Sequence, residues 1–446
     1  MLTGFFADRA WLSTDGGVAR SVSIDVEDGV IVSVQPDSVP RSDAVRLPGF
    51  VVPGMVNAHS HAFHRALRGR THCGTGDFWS WRRQMYTVVE RLNPHSYLDL
   101  ARATYTEMVL AGITTVIEFH YVHNDVDGAA FADPTQMAAV LAQAADEAGI
   151  RLVLLDTVYM QSDVDGTAIS GPQLRFATTD LDRWRDRLEA TGSALPDVTV
   201  GAAIHSVRGC SPESMRQVAA IADESGMPLH IHLSEQVKEN EACLAVHGCT
   251  PTQLCEATGV LGPATTAVHA THLTDTDVRL LGSSATVACF CPTTERDLAD
   301  GIGPAARLRD AGSLLSLGSD SHAVIDLFEE ARAVELNERL HTMRRGGHTA
   351  DELMTAATAG GAVSAGLTDR VGAIAPGHSA DLIAVRTDSV RTAGGADPVA
   401  TTVFAATASD VTHVVTNGRV VVEDGKHVRM ADVGAALKSA IGQLYG

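Results

Sequence analysis

The sequence has few lysines, no long apolar run and no excess of positive charge. No apolar run approaches the roughly 18 residues that a membrane-spanning helix needs. The 446 residues carry a formal charge of −20, from 34 basic and 54 acidic side chains. An acidic chain of this kind repels nucleic acid and anionic membranes, so we expect neither as a partner. A small molecule is the partner class that remains.

Paired cysteines are lacking as well. The cysteines are odd in number, scattered and free of any CxxC pair, and they are Cys73, Cys210, Cys243, Cys249, Cys255, Cys289 and Cys291. Reduced thiols are the simplest interpretation, with Cys289 and Cys291 as buried packing residues. Asp8 and Arg9 interrupt the N-terminal segment before a signal-peptide core could form. We therefore predict a cytoplasmic protein.

Both ends of the chain have the pattern of β structure. Residues 22–26 alternate apolar and polar side chains ahead of an Asp28-Gly29 turn, and residues 412–416 lead into an Asn417-Gly418 turn. Each pattern is typical of a β-hairpin. Two β-rich ends around a different middle predict one small β domain that is assembled from both termini.

The middle of the chain alternates short apolar runs with longer helical patterns, which is the signature of repeated βα units. Eight runs qualify as strands: Val51–Val56, Ile113–Phe119, Leu152–Val158, Val198–Ile204, Pro228–Leu233, Thr265–His269, Ala285–Cys289 and Ser313–Leu317. Between them, apolar residues recur at three- and four-residue spacing in segments such as 94–111, 135–148, 212–225 and 327–343. Eight strands with crossover helices predict an α/β fold, a (β/α)8 TIM-like barrel.

The predicted organisation therefore has three parts. Residues 1–50 and 375–430 form a small β-sandwich domain, residues 51–374 form the barrel, and residues 431–446 form a C-terminal helix.

In such a barrel the active site lies at the C-terminal ends of the strands. Six of the eight predicted ends carry histidine, tyrosine or aspartate: His59 and His61 on strand 1, His120 and Tyr121 on strand 2, His205 on strand 4, His232 on strand 5, His269 on strand 6 and Asp320 on strand 8. An HxH pair by itself is a weak signal. Convergence of ligands from strands 1, 5 and 8 on one rim indicates a site for zinc or a similar divalent ion. The predicted ligands are His59, His61, His232 and Asp320.

Three motifs in this order carry a family resemblance. They are Pro53-Gly54-Met55-Val56-Asn57-Ala58-His59-Ser60-His61, His230-Ile231-His232-Leu233-Ser234-Glu235 and Gly318-Ser319-Asp320-Ser321-His322. With Gly377-His378-Ser379-Ala380-Asp381-Leu382 near the C-terminus, they resemble the amidohydrolase superfamily over nearly the whole chain. The resemblance implies a barrel of the amidohydrolase type and metal-dependent hydrolysis. Binuclear members bridge two metals with a carboxylated lysine, usually on strand 4. None of the three lysines lies near that position, so we expect one divalent ion per subunit, zinc or iron(II).

Within the superfamily the chain is most similar to the formimidoylglutamate deiminases of histidine degradation. The similarity lies in four stretches: residues 78–86, Glu118-Phe119-His120-Tyr121, His205-Ser206-Val207-Arg208 and His269-Ala270-Thr271-His272. It implies that Arg82, Tyr121 and Arg208 hold the two carboxylates of the substrate, with His205 close by. It also implies a homodimer. Residues 78–86 would form an aromatic-rich loop that acts as a lid or as a dimer contact.

One position departs from that family. The resemblance leads us to expect glutamine three residues after His61, but the chain has His64. Because a histidine can donate or accept one hydrogen bond, we keep His64 among the predicted substrate-binding residues.

The mechanism that we expect is metal-assisted hydrolysis of an amidine. Asp320 takes a proton from the attacking water, His269 stabilises the tetrahedral centre, and Glu235 carries a proton to the departing nitrogen. Two alternatives stay open: a related deaminase or chlorohydrolase acting on a purine, pyrimidine or triazine, and a non-catalytic barrel that binds metal or ligand. The first alternative makes little use of Arg82 and Arg208, because an uncharged ring has no carboxylate for them to bind. The second does not explain Glu235 and His269, because a binding module needs no residues for proton transfer.

Overall fold

The structure, a computed structural model, describes residues 2–13, 15–71 and 78–446. Two eight-stranded sheets organise these residues. One is formed by strands from both ends of the chain, and the other is a parallel sheet from the middle. This arrangement confirms the predicted fold class.

The first sheet joins the two ends of the chain. Its strands are β1 (Leu2–Trp11), β2 (Val18–Glu27), β3 (Val30–Gln35), β4 (Val45–Pro53), β13 (Leu382–Val385), β14 (Val411–Thr416), β15 (Arg419–Glu423) and β16 (Lys426–His427). Their order is β16-β15-β14-β13-β4-β1-β2-β3, so β4 pairs with the C-terminal β13. Buried Phe5, Ile24 and Leu382 belong to a hydrophobic core of its own.

The second sheet is the barrel. Its strands are β5 (Met55–Ser60), β6 (Ile113–His120), β7 (Arg151–Val158), β8 (Thr199–Ile204), β9 (Leu229–Leu233), β10 (Thr265–His269), β11 (Val287–Phe290) and β12 (Leu315–Leu317). All of their pairings are parallel, in sequence order from β5 to β12. Most of their residues are buried, as expected when helices cover the outside of a barrel and side chains fill its inside.

The helices lie between and beyond these strands. They are α1 (Phe78–Val89), α2 (Pro94–Leu110), α3 (Gln136–Ala148), α4 (Leu181–Ala194), α5 (Pro212–Glu224), α6 (Val237–His247), α7 (Pro251–Ala257), α8 (Asp275–Ser283), α9 (Pro292–Asp297), α10 (Ala305–Ala311), α11 (Leu327–Thr342), α12 (Ala350–Thr355), α13 (Gly361–Ser364), α14 (Pro398–Ala405) and α15 (Val433–Tyr445). Local signals explain some of the bounds. Asn93 accepts hydrogen bonds from the first turn of α2, and Gly149 ends α3 with a φ of 73°. Among the described residues, no helix combines the length and apolar character needed to span a membrane.

Two predicted elements differ from the structure. The run Val51–Val56 is not one barrel strand, because residues 51–53 complete β4 in the first sheet and the barrel begins at Met55. The chain changes sheets at Gly54, where a Cβ atom would collide with Thr114. The predicted loop over residues 78–86 is the greater part of helix α1.

The barrel closes where its first and last strands meet. The sheet order leaves β5 and β12 at opposite ends, and an isolated parallel bridge joins Ser60 to Asp320 across the gap. The amide nitrogen of Asp320 donates to the His59 carbonyl oxygen at 3.0 Å. Asp320 has a φ of 39°, an uncommon conformation for a residue other than glycine, which often marks a functional site.

Candidate active site

Four side chains from three strand ends converge at the closure of the barrel. The ligand nitrogens of His59, His61 and His232 lie within 4.8 Å of one another. Asp320 Oδ1 lies 3.4 Å from Nε2 of both His59 and His61, and His232 Nε2 lies 3.1 Å from His59 Nε2. The structure thus brings together all four residues that the sequence predicted as metal ligands.

The protonation of these rings suits a metal ion. Burial lowers the pKa of His59, His61 and His232, so the rings are neutral. His61 Nδ1 donates to the Phe119 carbonyl at 3.0 Å, and His232 Nδ1 donates to the His205 carbonyl at 2.8 Å. Because a carbonyl can only accept, each Nδ1 carries the proton and each Nε2 keeps a lone pair directed at the cluster. Three imidazoles and one carboxylate fit a divalent ion such as zinc.

The predicted proton-transfer residues lie beside this cluster. His269 Nε2 is 3.9 Å from Asp320 Oδ2, and His269 Nδ1 is 3.5 Å from Glu295 Oε1. Burial lowers the pKa of His269, but the hydrogen bond to Glu295 and the charge of Glu235 raise it to about 10. Burial raises the pKa of Asp320 to about 7. A divalent ion at the cluster would favour the ionised form of this carboxyl.

One cavity is lined by His61, His232 and Asp320 of the cluster and by every predicted substrate-binding residue. His64, Arg82, Tyr121, His205 and Arg208 all line it, together with Glu235, His269 and Asp320. His64 Nε2 lies 3.1 Å from the Tyr121 hydroxyl, so the histidine at this position keeps one polar partner inside the cavity.

The two arginines of the cavity have different surroundings. Arg82 lies on α1, where its Nη2 is 3.5 Å from the Tyr159 hydroxyl and its guanidinium is 5.4 Å from the centre of the Tyr86 ring. Arg208 lies between two buried carboxylates: its Nη2 is 3.1 Å from Glu235 Oε2, and its Nε is 2.8 Å from Glu239 Oε2. Arg208 is therefore largely neutralised within the protein.

Several cavity residues were not predicted. No residue was predicted at the ends of strands 3 and 7, yet Tyr159 follows β7 and lines the cavity. Glu295 follows β11 and lies behind the lining, where it contacts His269. Tyr159 was visible as the polar residue directly after a strand, whereas Glu295 gave no such signal. Phe176 comes from a 3-10 turn far from any strand end, and its ring lies 4.7 Å from that of Tyr121.

One predicted rim residue lies elsewhere. His120 does not line the cavity. Its ring packs 4.7 Å from that of His123, which lies near the buried Asp156–Arg187 pair.

The cysteines agree with the prediction of reduced thiols. Cys289 and Cys291 are buried and free. Of the other cysteines, only Cys73 lies outside the described residues.

Comparison with known proteins decides the family. A sequence model of the amidohydrolase family matches residues 50–421. The chain belongs to the amidohydrolase family. Formimidoylglutamate deiminase from Pseudomonas aeruginosa is 36% identical over 462 aligned residues, covering 99% of this chain and 100% of that protein. An 8-oxoguanine deaminase from the same organism is 30% identical, with 94% of each chain covered.

Solved structures agree with this family assignment. An amidohydrolase from Brucella melitensis superimposes with a TM-score of 0.92 at 31% identity, covering 100% of both chains. An adenosine deaminase from Xanthomonas campestris with bound zinc superimposes with a TM-score of 0.85 at 23% identity, covering 99% of this chain and 98% of that one, and supports the fold. As an amidohydrolase with a histidine and aspartate cluster, the protein is a metal-dependent hydrolase that acts on C–N bonds.

Proposed function

We propose that this amidohydrolase is a deiminase that hydrolyses N-formimino-L-glutamate to N-formyl-L-glutamate and ammonia in histidine degradation. One observation carries the proposal: the cavity of the metal cluster also contains Arg82 and Arg208. The substrate has two carboxylates, and a chain with a net charge of −20 repels it at long range. Local cations in a partly buried cavity are therefore needed, and guanidinium groups match carboxylates best. The 36% identical deiminase supports the same substrate.

In this proposal Arg82, Arg208 and Tyr121 hold the two carboxylates, and His64 and His205 complete the wall around them. Glu235 and Glu239 already offset the charge of Arg208, so this residue offers the substrate hydrogen bonds more than net charge. A substrate anchored at its glutamate end then extends its formimino group toward His269 and Asp320.

The bound ion is one divalent metal per subunit, which we propose to be zinc, with iron(II) as the alternative. His59, His61, His232 and Asp320 hold it. Its chemical contribution is to lower the pKa of a water molecule from about 15.7 to about 7.

The protein side chains move the protons of the reaction. Asp320 accepts a proton from the attacking water, which adds to the formimino carbon. His269 stabilises the tetrahedral centre that results. Glu235, which is ionised beside Arg208, takes up one proton of the water and carries it to the departing nitrogen, and the proton held by Asp320 follows it there. With both water protons on the nitrogen, the C–N bond breaks with ammonia as the leaving group, and the water oxygen stays on the product as the formyl oxygen.

A second candidate is deamination of a heterocyclic ring. The aromatic side chains of Trp81, Tyr86, Tyr121, Tyr159 and Phe176 line the cavity and could stack on such a ring. The 30% identical relative is an 8-oxoguanine deaminase. Against this candidate, a neutral ring would make little use of the two guanidinium groups that line the cavity.

We further propose that the protein acts in the cytoplasm as a homodimer and binds neither nucleic acid nor membrane. The net charge of −20 supports the absence of nucleic-acid and membrane binding, because nucleic acids and anionic membranes repel an acidic protein.

Ammonia release from the zinc-loaded protein tests the proposal. N-formimino-L-glutamate is compared with N-formimino-L-aspartate, guanine, 8-oxoguanine and cytosine, and chelator-treated protein is the control. We expect fast release from the glutamate compound, with N-formyl-L-glutamate as the second product. Ammonia release from a heterocycle but not from N-formimino-L-glutamate would overturn the substrate assignment, and the proposed metal site would be unaffected.

A further inference from the structure

A buried arginine outside the cavity joins three of its walls. Arg175 is 0% exposed. Its Nη1 donates to the carbonyl oxygens of Val89 and Leu92, the latter at 2.7 Å, and its Nε donates to the Asn124 carbonyl at 3.1 Å. Within residues 2–13, 15–71 and 78–446, no carboxylate forms an ion pair with it. A buried cation that binds only carbonyls costs desolvation energy, so a packing role alone explains it poorly.

The carbonyl of Val89 is at the end of α1, and that of Leu92 lies three residues beyond it. Val89 is the last residue of this helix, and the final carbonyls of a helix lack partners within it. A cation at this end also interacts favourably with the helix dipole. Arg175 thus caps α1, the helix whose Trp81, Arg82 and Tyr86 line the cavity.

The same arginine is tied to two other walls through its backbone. Its carbonyl accepts hydrogen bonds from the amides of His123 and Asn124, at 2.9 and 3.0 Å, shortly after Tyr121. The next residue, Phe176, lines the cavity, with its ring 4.7 Å from Tyr121 and 6.4 Å from Tyr86. The position of α1 relative to the loop after β6 is therefore set through Arg175.

We propose that Arg175 is a positioning residue that holds Arg82 at the distance from the metal cluster that the substrate requires. The inference rests on the proposed function, in which Arg82 binds a substrate carboxylate. Arg175 touches no substrate and acts through α1. Its loss lets the end of α1 move away from the barrel and weakens binding of the glutamate end of the substrate.

The test compares Arg175→Gln and Arg175→Lys with wild-type enzyme. We expect Arg175→Gln to raise KM for N-formimino-L-glutamate about tenfold or more, with kcat changed less than about threefold and one metal ion per chain retained. Hydrogen exchange of residues 78–92 should increase in the same variant. Arg175→Lys, which can still donate to carbonyls, should recover part of both effects.

A double-mutant cycle decides whether the effect passes through Arg82. If it does, Arg175→Gln should raise KM much less in an Arg82→Gln background than in wild-type. The control is Arg151→Gln, which removes a mostly buried guanidinium that pairs with Asp381 and should leave KM unchanged. Equal effects in both backgrounds, or unchanged exchange in 78–92, would overturn the proposal.

The proposed function and this inference can fail separately. Wild-type enzyme without turnover of N-formimino-L-glutamate would defeat the function alone, because exchange of residues 78–92 still reports whether Arg175 holds α1. If Arg175→Gln fails to fold, Arg175→Lys takes its place in the test. Because lysine should recover only part of the contacts, its KM and its hydrogen exchange in residues 78–92 should still differ from wild-type. Wild-type values of both quantities would refute the positioning role.

Discussion

Asn57 and Ser319 form a reciprocal pair of hydrogen bonds across the closure of the barrel. Asn57 Nδ2 donates to Ser319 Oγ at 2.7 Å, and the amide of Ser319 donates to Asn57 Oδ1 at 2.9 Å. Both residues are 0% exposed. Asn57 lies two residues before His59, and Ser319 directly precedes Asp320, so the contact that closes the barrel also brings metal ligands from its first and last strands together.

We therefore expect Asn57→Ala to weaken both folding and metal binding. The variant leaves the buried amide of Ser319 without its partner, while Ser319 Oγ keeps a contact with His322 Nδ1 at 3.0 Å. The cost is roughly 1–3 kcal/mol in the free energy of unfolding. Outer contacts that orient metal ligands are each worth about 10–100-fold in affinity, and the same loss is expected for zinc. Urea unfolding of the metal-free protein and competition with a chelator measure the two effects.

A second buried pair separates stability from metal binding. Ser364 Oγ donates to Ser316 Oγ at 2.9 Å, and Ser316 lies on β12 nearer the other end of the barrel. Ser316→Ala should lower stability and leave zinc affinity unchanged. Equal loss of zinc affinity in both variants would show that general loosening of the barrel, and not the Asn57 contact, controls the metal site.

Glu235→Gln should retain the metal and lose about 10²–10⁴-fold in kcat. The amide keeps the size of the side chain and a possible contact to Arg208, but it cannot deliver a proton to the leaving nitrogen. Zinc content and single-turnover ammonia release are the measurements. Glu241→Gln, an exposed position on the following helix α6, is the matched control. A near-normal kcat in Glu235→Gln would remove this carboxyl from the reaction.

The two cavity arginines should respond differently to substitution. Arg82→Gln removes a carboxylate contact and should raise KM about 10–100-fold with little change in kcat, since a charge-assisted hydrogen bond is worth roughly 1.5–3 kcal/mol. Arg208→Gln also leaves Glu235 and Glu239 without their shared cation, so kcat should fall as well. Arg83→Gln, on the exposed side of α1, is the control for the helix. Identical kinetic changes for Arg82 and Arg208 would contradict this division.

The strand-end histidines could be predicted because topology alone places them. In a (β/α)8 barrel every strand delivers its C-terminal end to one rim, so residues far apart in sequence, such as His59 and His232, meet without any knowledge of packing. The same reasoning fails within a strand. Successive residues at the end of β6 and directly after it point to opposite sides, so Phe119 and Tyr121 approach the metal cluster while His120 packs against His123.

Other features required the tertiary structure. Val51–Val56 has a continuous apolar pattern across Pro53 and Gly54, and only strand pairing shows that the chain leaves one sheet and enters another there. The pairing of Arg208 with Glu239 depends on how the segments after β8 and β9 pack together. No local sequence signal specifies such a contact, and it changes what this arginine can offer to a substrate.

A further prediction concerns acid stability and the buried pair of Asp156 and Arg187. Arg187 donates to both carboxylate oxygens, at 2.9 and 2.6 Å. Burial raises the pKa of Asp156, but the charge of Arg187 outweighs it and holds the pKa at about 2. Since an ordinary aspartate has a pKa of about 3.9, the pair stabilises the fold by roughly 2 kcal/mol above about pH 4. This contribution is lost as the pH falls through about 2.

Asp156→Asn should therefore be less stable than wild-type at pH 6, and the difference should narrow between about pH 4 and pH 2. The measurement is urea unfolding of metal-free protein, because protonation of His59, His61 and His232 in acid would otherwise add the loss of the metal to the comparison. Glu189→Gln, an exposed carboxyl on the same helix as Arg187, controls for general charge effects. If the difference between wild-type and Asp156→Asn were constant from pH 6 to pH 2.5, the Asp156 carboxyl would not titrate in this range. The contact with Arg187 would then contribute to the free energy of unfolding in a way that does not depend on the ionisation of Asp156.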